Sequence, residues 1–207
     1  MNEWIIVVPK NRSLKGCKDI LDSFLSQEGI TNFSLLEVRG EDIPFFVSNL
    51  IQKNNLSLGI VGEDLFKEWQ LENTSSGLDI LRRYEWKDKE ALFNKPVLCL
   101  LGPKGKKIED LPKNLRVCIS DKYKKIAKRY LNSLETLGYN FEKRYLSGAV
   151  ESTFQHGIAD LVIDIIYSGK SAEEAGLEIY DKIFESDIVV IGKRNSFHSL
   201  PKIEIIR

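Results

Sequence analysis

Apolar residues fall into two kinds of run along this chain. The segments "WIIVVP" (4–9), "FSLLEV" (33–38), "LSLGIVG" (56–62) and "PVLCLLG" (96–102) are short, β-rich and nearly continuous. Between the first two, "LKGCKDILDSFLSQEG" sets Leu14, Cys17, Ile20, Leu21, Phe24 and Leu25 at helical spacing. "IPFFVSNLIQK" (43–53) and "EDLFKEWQ" (63–70) follow the next two strands in the same way. Strands alternating with helices predict an α/β fold, with helices covering both faces of a mainly parallel sheet.

A strand-like stretch "DILRRYEW" (79–86) runs into the charged "KDKE", after which β-rich character starts afresh, placing a lobe boundary near 94. Lobe I is then 1–94, with 181–207 returning to it, and lobe II is 95–180. Lobe II is expected to hold strands near 96–101, 115–119, 141–145 and 160–166. Its helices are expected near 149–156 and near 121–137, where Tyr123, Ile126, Ala127, Tyr130, Leu131, Leu134 and Leu137 form one stripe. "LEIYDKIFESDIVVIGKR" (177–194) is strand-like at both ends and carries the chain back, and the C-terminal stretch reads as a loop followed by a short strand. Two lobes joined by more than one crossing predict a hinged cleft, a common place for a small ligand.

Composition narrows the partners. Lys plus Arg equals Asp plus Glu at 30 each, so no global field attracts nucleic acid or an anionic membrane. Trp4, Trp69 and Trp86 lack the interleaved basic residues of a nucleic-acid platform. No apolar run reaches the roughly 18 residues of a membrane span, and no charged-then-apolar leader opens the chain; a soluble cytoplasmic protein is expected. Cys17, Cys99 and Cys118 have no C-x-x-C spacing and read as reduced core residues. His156 and His198 form neither a ligand pair nor a triad.

The stretch "ADLVIDIIYSGKS" (159–171) carries the most chemistry. A buried strand ending in small residues, with a helix to follow, aims backbone N–H groups outward where anions bind. Ser168, Gly169 and Ser171 let a phosphate approach and Lys170 adds charge, although S-G-K-S alone also fits a solvated turn and lacks the first glycine of a Walker A loop. Upstream, Asp160 and Asp164 are four residues apart, which on a strand sets both on one face. Acids in so apolar a run are costly to bury unpaired: they hold a ligand, such as ribose hydroxyls or magnesium, or they cap and bridge neighbouring elements.

Beyond that point the longer stretch "SGAVESTFQHGIADLVIDIIYSGKSAEEAGLEI" (147–179) resembles the phosphoribosyl-diphosphate segment of the ATP phosphoribosyltransferases, whose pattern is roughly G-S-V-E, then G-x-A-D, an apolar strand, D, and T-G-x-T-L. Gly148, Ala149, Val150 and Glu151 match its first part; Gly157, Ala159, Asp160 and Asp164 match its middle. Ser168 and Ser171 replace Thr and keep the hydroxyls, and Ala172 replaces Leu. Other stretches agree in order: "VPKNRSL" with L-P-K-G-R-L, "VRGEDIPFFV" with R-x-x-D-I-P-x-Y-V, "LSLGIVGEDLF" with D-L-G-I-x-G-x-D, and "RVCISDKYKKIAKRYL" with R-I-A-T-K-Y-P. The likeness covers about 5–194. Departures are Asn11 for Gly, Asp121 for Thr, Lys124 for Pro, and "EALFNKPVL" (90–98) for D-L-G-F-G-x-C-R-L, where Leu92 and Asn94 replace glycines and Val97 replaces Arg; by resemblance this segment belongs to the hinge and nucleotide side of the site.

The resemblance implies two α/β lobes of the type II periplasmic-binding-protein kind, a pentosyltransferase activity, and the first reaction of histidine biosynthesis, with Mg2+ carried by substrate rather than by a protein ligand set. Asp160, Asp164 and Glu151 would be catalytic acids at the ribose, and Ser168, Gly169, Lys170 and Ser171 the 5-phosphate loop. Lys10 and Arg12, on the loop after the first strand, would hold polyphosphate. Arg39 is a candidate nucleotide contact, Asp42 a helix cap ahead of Pro44. Asp64 suits a ligand or a cap equally, and Lys122 and Tyr123 open a helix at the cleft. A chain of this length resembles the short form, implying a homodimeric core with a histidyl-tRNA-synthetase-like regulatory subunit. Two alternatives stay open: a phosphoribosyltransferase with another acceptor, and a non-catalytic two-lobed binding or sensor protein.

Overall fold

The computed structural model of the chain describes residues 3–10, 17–196 and the backbone of 205–206. Two compact units emerge, Met1–Glu85 with Asp187–Arg207, and Trp86–Ser186. The first contains β1 (Trp4–Pro9), α1 (Cys17–Gln27), β2 (Phe33–Val38), α2 (Ile43–Gln52), β3 (Leu56–Gly62), α3 (Glu63–Gln70) and β4 (Asp79–Tyr84). The second contains β5 (Val97–Pro103), β6 (Asn114–Ser120), α4 (Lys124–Glu135), β7 (Asn140–Leu146), α5 (Val150–Gln155), β8 (Leu161–Ile166), α6 (Lys170–Glu174) and β9 (Leu177–Glu185). The chain then re-enters the first unit with β10 (Ile188–Gly192) and the short β11 (Ile205–Ile206).

The first sheet runs β11-β4-β10-β3-β1-β2, the second β7-β6-β8-β5-β9. Strands β2, β1 and β3 are parallel, and so are β7, β6 and β8. Strand β10 is antiparallel to both β3 and β4, and β5 is antiparallel to both β8 and β9. Each sheet is therefore mixed, not mainly parallel as the alternation suggested. The exceptions are the two strands by which the chain enters one unit from the other, β5 and β10, and each runs against the strands on both of its sides.

Burial follows position in the sheet. Strands β3, β5 and β10 are buried along almost their whole length because each has a strand on both sides and cover on its faces, which is why their sequences read as continuous apolar runs. Edge strand β2 exposes most of its residues. In the first unit Val7, Ile43, Val47, Val61, Phe66, Val189 and Ile191 form one core. Gly59 admits α2 to it: a Cβ there would lie 2.6 Å from Ile43 Cγ2 and 2.8 Å from Val47 Cγ2. The glycine of the "LGIVG" run thus serves helix packing. In the second unit Val97, Cys99, Leu101, Cys118, Val150, Val162, Ile166 and Leu177 pack together, so Cys99 and Cys118 sit in the core. Burial pushes the Cys99 thiol up to about 12.

The division between units lies at 85/86 and 186/187, against 94 and 180 from the sequence. Strand β9 stays paired with β5 from Leu177 to Glu185, which carries the second unit to Ser186. Leu92 N–H donates to Tyr167 O at 2.7 Å, which binds the segment before β5 to the second unit as well. Asp42, expected as a cap, precedes α2 but makes no side-chain capping hydrogen bond; a 3-10 turn over Gly40–Asp42 leads into the helix, and Pro44 occupies its first turn. No helix is long and apolar enough to cross a membrane among the described residues.

Candidate active site

In the second unit β6, β7 and β8 run parallel, so their carboxyl ends lie along one edge. The chain leaving β6 goes through α4 to β7 on one side, while the chain leaving β8 goes through α6 to β9 on the other. The crevice between β6 and β8 is thus a topological switch point, the place where open α/β sheets bind ligands. Ser120 closes β6 there, 8 % exposed, and Asp164 stands opposite on β8.

Asp164 is the unusual group of this edge. Burial pushes its carboxyl up to about 6, and the charge of Glu151 pushes the same way; hydrogen bonds from Ile165 N–H and the Ser120 hydroxyl, and the charge of Lys122, oppose it. The Ile165 N–H donates to Asp164 Oδ1 at 2.8 Å. Glu151 is delivered by the loop after β7, which turns through Ala149 in a left-handed conformation (φ 51°) to begin α5. A non-glycine residue in that region is strained and depends on its surroundings, and it is what sets the first turn of α5 beside the crevice.

Two residues beyond β8 begins the loop 168–171. Gly169 has φ +78° and caps α6, a conformation that suits glycine. The first-turn amides of a helix have no intrahelical acceptors, and here they open onto the edge that carries Asp164. Ser168, Lys170 and Ser171 are exposed around them, so hydroxyls, amides and one ammonium converge where an anion can enter.

Asp160 does not join this group. It precedes β8, about 13 Å along the strand direction from Asp164, at the amino edge of the sheet. There Arg116 Nη2 donates to Asp160 Oδ1 at 2.7 Å, Arg116 Nε and backbone N–H donate to Oδ2 at 3.1 and 2.8 Å, and Nη1 donates to Gly157 O at 2.7 Å. The guanidinium holds the Asp160 carboxyl below the ordinary carboxylate range. A groove of about 370 Å³ bordered by Lys106, Arg116 and Phe154 lies at this end. Asp160 pins β6 to β8, correcting its expected place at the ribose. Tyr123, 4 % exposed, is likewise a core side chain, whereas Lys122 is exposed and contributes its charge to Asp164.

In the first unit the expected residues collect at the carboxyl edge of β2, β1 and β3. Lys10 directly follows β1, and its N–H donates to Val38 O at 2.7 Å, which sets it beside Arg39 at the end of β2; both are exposed. Asp64 is in the first turn of α3 after β3 and is 6 % exposed. Its neighbour Glu63 accepts both arms of Arg83 and its N–H donates to Asp187 O at 2.8 Å. Arg12 lies outside the described residues, as does His198. His156 is exposed, with Nδ1 2.8 Å from Ser152 O. Ser120 and Arg116 were missed in the sequence, where the one is a hydroxyl closing an apolar strand and the other opens the same strand; neither has a local partner to announce it.

Two α/β units, each with polar residues gathered at the carboxyl edge of a parallel strand trio, have the two-lobed α/β fold of the type II periplasmic-binding-protein class. Solved structures share this fold. The chain superposes on an ATP phosphoribosyl transferase (HisG:HisZ) complex structure from Thermotoga maritima with a TM-score of 0.64 at 22 % identity, covering 93 % of this chain and 89 % of that one. On the periplasmic aliphatic sulphonate binding protein SsuA from Escherichia coli the TM-score is 0.60 at 15 % identity, covering 94 % and 66 %.

Sequence comparison separates these two. The family model of ATP phosphoribosyltransferase, HisG, matches residues 39–207. The ATP phosphoribosyltransferase of Caldicellulosiruptor saccharolyticus is 30 % identical over 174 residues, 84 % of this chain and 74 % of the relative. That of Metallosphaera sedula is 34 % identical over 173 residues, 82 % of this chain and 52 % of the relative. The chain belongs to the ATP phosphoribosyltransferase family, enzymes of the pentosyltransferase class in histidine biosynthesis.

Proposed function

We propose that this chain joins phosphoribosyl diphosphate to ATP, forming phosphoribosyl-ATP and pyrophosphate, in the cytoplasm. The observation that carries the reading is the switch-point crevice of the second unit: a half-buried acid, Asp164, between Ser120, Glu151 and Lys122, with the 168–171 loop two residues past the same strand. A ribose 5-phosphate has matching chemistry, hydroxyls at one end for the carboxylates and a phosphate at the other for amides and hydroxyls.

In the reaction the lone pair of adenine N1 forms the bond to C1 of the ribose while the bond from C1 to the diphosphate oxygen breaks, the electron pair leaving with pyrophosphate. N1 carries no proton to remove, so the chain's task is alignment and charge stabilisation. Asp164 and Glu151 accept from the ribose hydroxyls and face the positive charge that grows on the ring. Ser168, Gly169, Lys170 and Ser171 hold the 5-phosphate. Lys10 and Arg12 would draw the pyrophosphate or nucleotide phosphates inward, Arg39 would contact the nucleotide, and Lys122 would add positive charge at the crevice. The donor would carry magnesium with it, which would supply neutralising charge for the diphosphate, and no residue of this chain is assigned to hold the ion. The HisG:HisZ complex of Thermotoga maritima supports a HisZ-like regulatory partner for this chain; that this partner is histidyl-tRNA-synthetase-like and the core a homodimer rests on the family resemblance.

The test is calorimetric titration of the chain with phosphoribosyl diphosphate and magnesium, followed by turnover with ATP in the presence and absence of a co-purified regulatory subunit. Saturable donor binding, weakened in Ser171→Ala, with pyrophosphate released one-for-one with ATP consumed, is the expected result. Absence of donor binding would overturn the reading, and binding indifferent to ATP would assign another acceptor.

A further inference from the structure

Segment 88–94, which overlaps the stretch 90–98 that departs most from the family pattern, is folded against the phosphate loop. Asp88 organises it: its N–H donates to Asn94 O at 2.8 Å, and its Oδ1 accepts from Glu90 N–H at 3.0 Å. Two turns close with Ala91 N–H on Asp88 O and Asn94 N–H on Ala91 O, each at 3.0 Å. Asn94 adopts φ +59°, a left-handed conformation that asparagine tolerates better than other side chains do, so it does the backbone work of a glycine.

From this base the segment grips the residue just before the loop at two points. Leu92 N–H donates to Tyr167 O at 2.7 Å, and the Tyr167 hydroxyl donates to Asp88 Oδ2. Leu92 also crowds the loop itself, because its Cδ2 lies 3.3 Å from where a Cβ of residue 169 would be, so that position has room for glycine and little more. Leu92 is 53 % exposed, an apolar side chain held at the surface beside Gly169. The base is held in turn: Phe93 packs on the core of the unit and lies under the Lys182 ammonium of β9 at 3.8 Å.

We propose that 88–94 is a staple that keeps the 168–171 loop in its anion-receiving conformation before the donor arrives, with Asp88, Leu92 and Tyr167 as positioning residues that do not themselves touch substrate. The inference rests on the reading of 168–171 as the 5-phosphate loop. A short loop containing glycine loses conformational freedom when it closes on a ligand; contacts that order it during folding remove that cost from binding and raise affinity without a new ligand contact.

Tyr167→Phe removes one hydroxyl and leaves the ring. Donor affinity measured by calorimetry with magnesium is expected to fall about fivefold, as for loss of one hydrogen bond to a carboxylate. Affinity for ATP, kcat at saturating donor and the melting temperature are expected to stay near wild type. Asp88→Ala should reproduce the loss, Asp88→Asn, which keeps an acceptor oxygen, should restore most of it, and Asp88→Ala combined with Tyr167→Phe should lose no more than either alone. Donor affinity within twofold of wild type in both single variants, or a fall in kcat without a change in donor affinity, would overturn the staple. A wild-type chain that fails to bind the donor would overturn the loop assignment first and the staple with it.

Discussion

Asp164 makes a prediction in which stability and function pull in opposite directions. Its carboxyl is raised from 3.8 to about 6, chiefly by burial, so the folded chain holds a proton that the unfolded chain has already released. Folding is helped by this group below pH 3.8, and that help is lost as pH rises through about 6. Each pH unit between the two values is worth about 1.4 kcal/mol, so the ionised group costs about 3 kcal/mol in a dry site and about 1–2 kcal/mol once the solvent reaching this half-buried carboxylate is counted. Asp164→Asn removes the charge and keeps an oxygen for Ile165 N–H and the Ser120 hydroxyl. The variant should match wild type near pH 4 and exceed it by about 1–2 kcal/mol at pH 7.5, measured as urea midpoints across that range. It should also bind the donor more weakly, and wild-type donor affinity should fall as pH drops through about 6. Parallel stability profiles for the two proteins from pH 4 to 7.5 would refute the argument, because they would mean that Asp164 titrates alike folded and unfolded.

Two other substitutions separate structure from chemistry. Asp160→Asn breaks the fork to Arg116 and should lower the melting temperature while leaving donor affinity unchanged; wild-type stability conferred by this pair is present above pH 3.8 and lost as pH falls further. A selective loss of donor affinity in that variant would return Asp160 to the ribose. Gly59→Ala inserts a methyl at 2.6 Å from Ile43 and should cost about 1–3 kcal/mol by thermal denaturation, with donor affinity in the other unit unchanged; an unaltered midpoint would show that α2 moves aside freely.

The strands and helices were largely legible because burial is written into residue type. "LSLGIVG" and "EDLFKEWQ" mark β3 and α3 to the residue, since the strand is buried on both faces and the helix starts where the apolar run meets two acids. Direction was not legible: nothing in "PVLCLLG" or "DIVVIG" says that these strands run against their neighbours, because periodicity reports which face is buried and not which way the chain travels. At the site, the two-residue period of a strand predicted Asp160 and Asp164 on one face. It failed for Asp160, which lies one residue before the strand begins and takes its partner from Arg116, 44 positions away. Ser120 was invisible for the same reason, as its meaning depends on β8 being its neighbour. The departures at Leu92 and Asn94 looked like erosion by residue identity, yet the one supplies a contact and the other a left-handed turn.

The position of β10 sets a schedule for synthesis. It is inserted between β3 and β4, but its residues follow the whole of the second unit. A ribosome adding about 5–20 residues per second synthesises every strand of the second sheet before it adds Ile188, and until then β3 has an open edge and β4 has no lateral neighbour. Apolar strand edges left waiting in this way invite pairing with other chains. The growing polypeptide therefore depends on its last strands to seal what its first strands began, and any interruption of translation after Ser186 leaves a finished half tethered to an adhesive one.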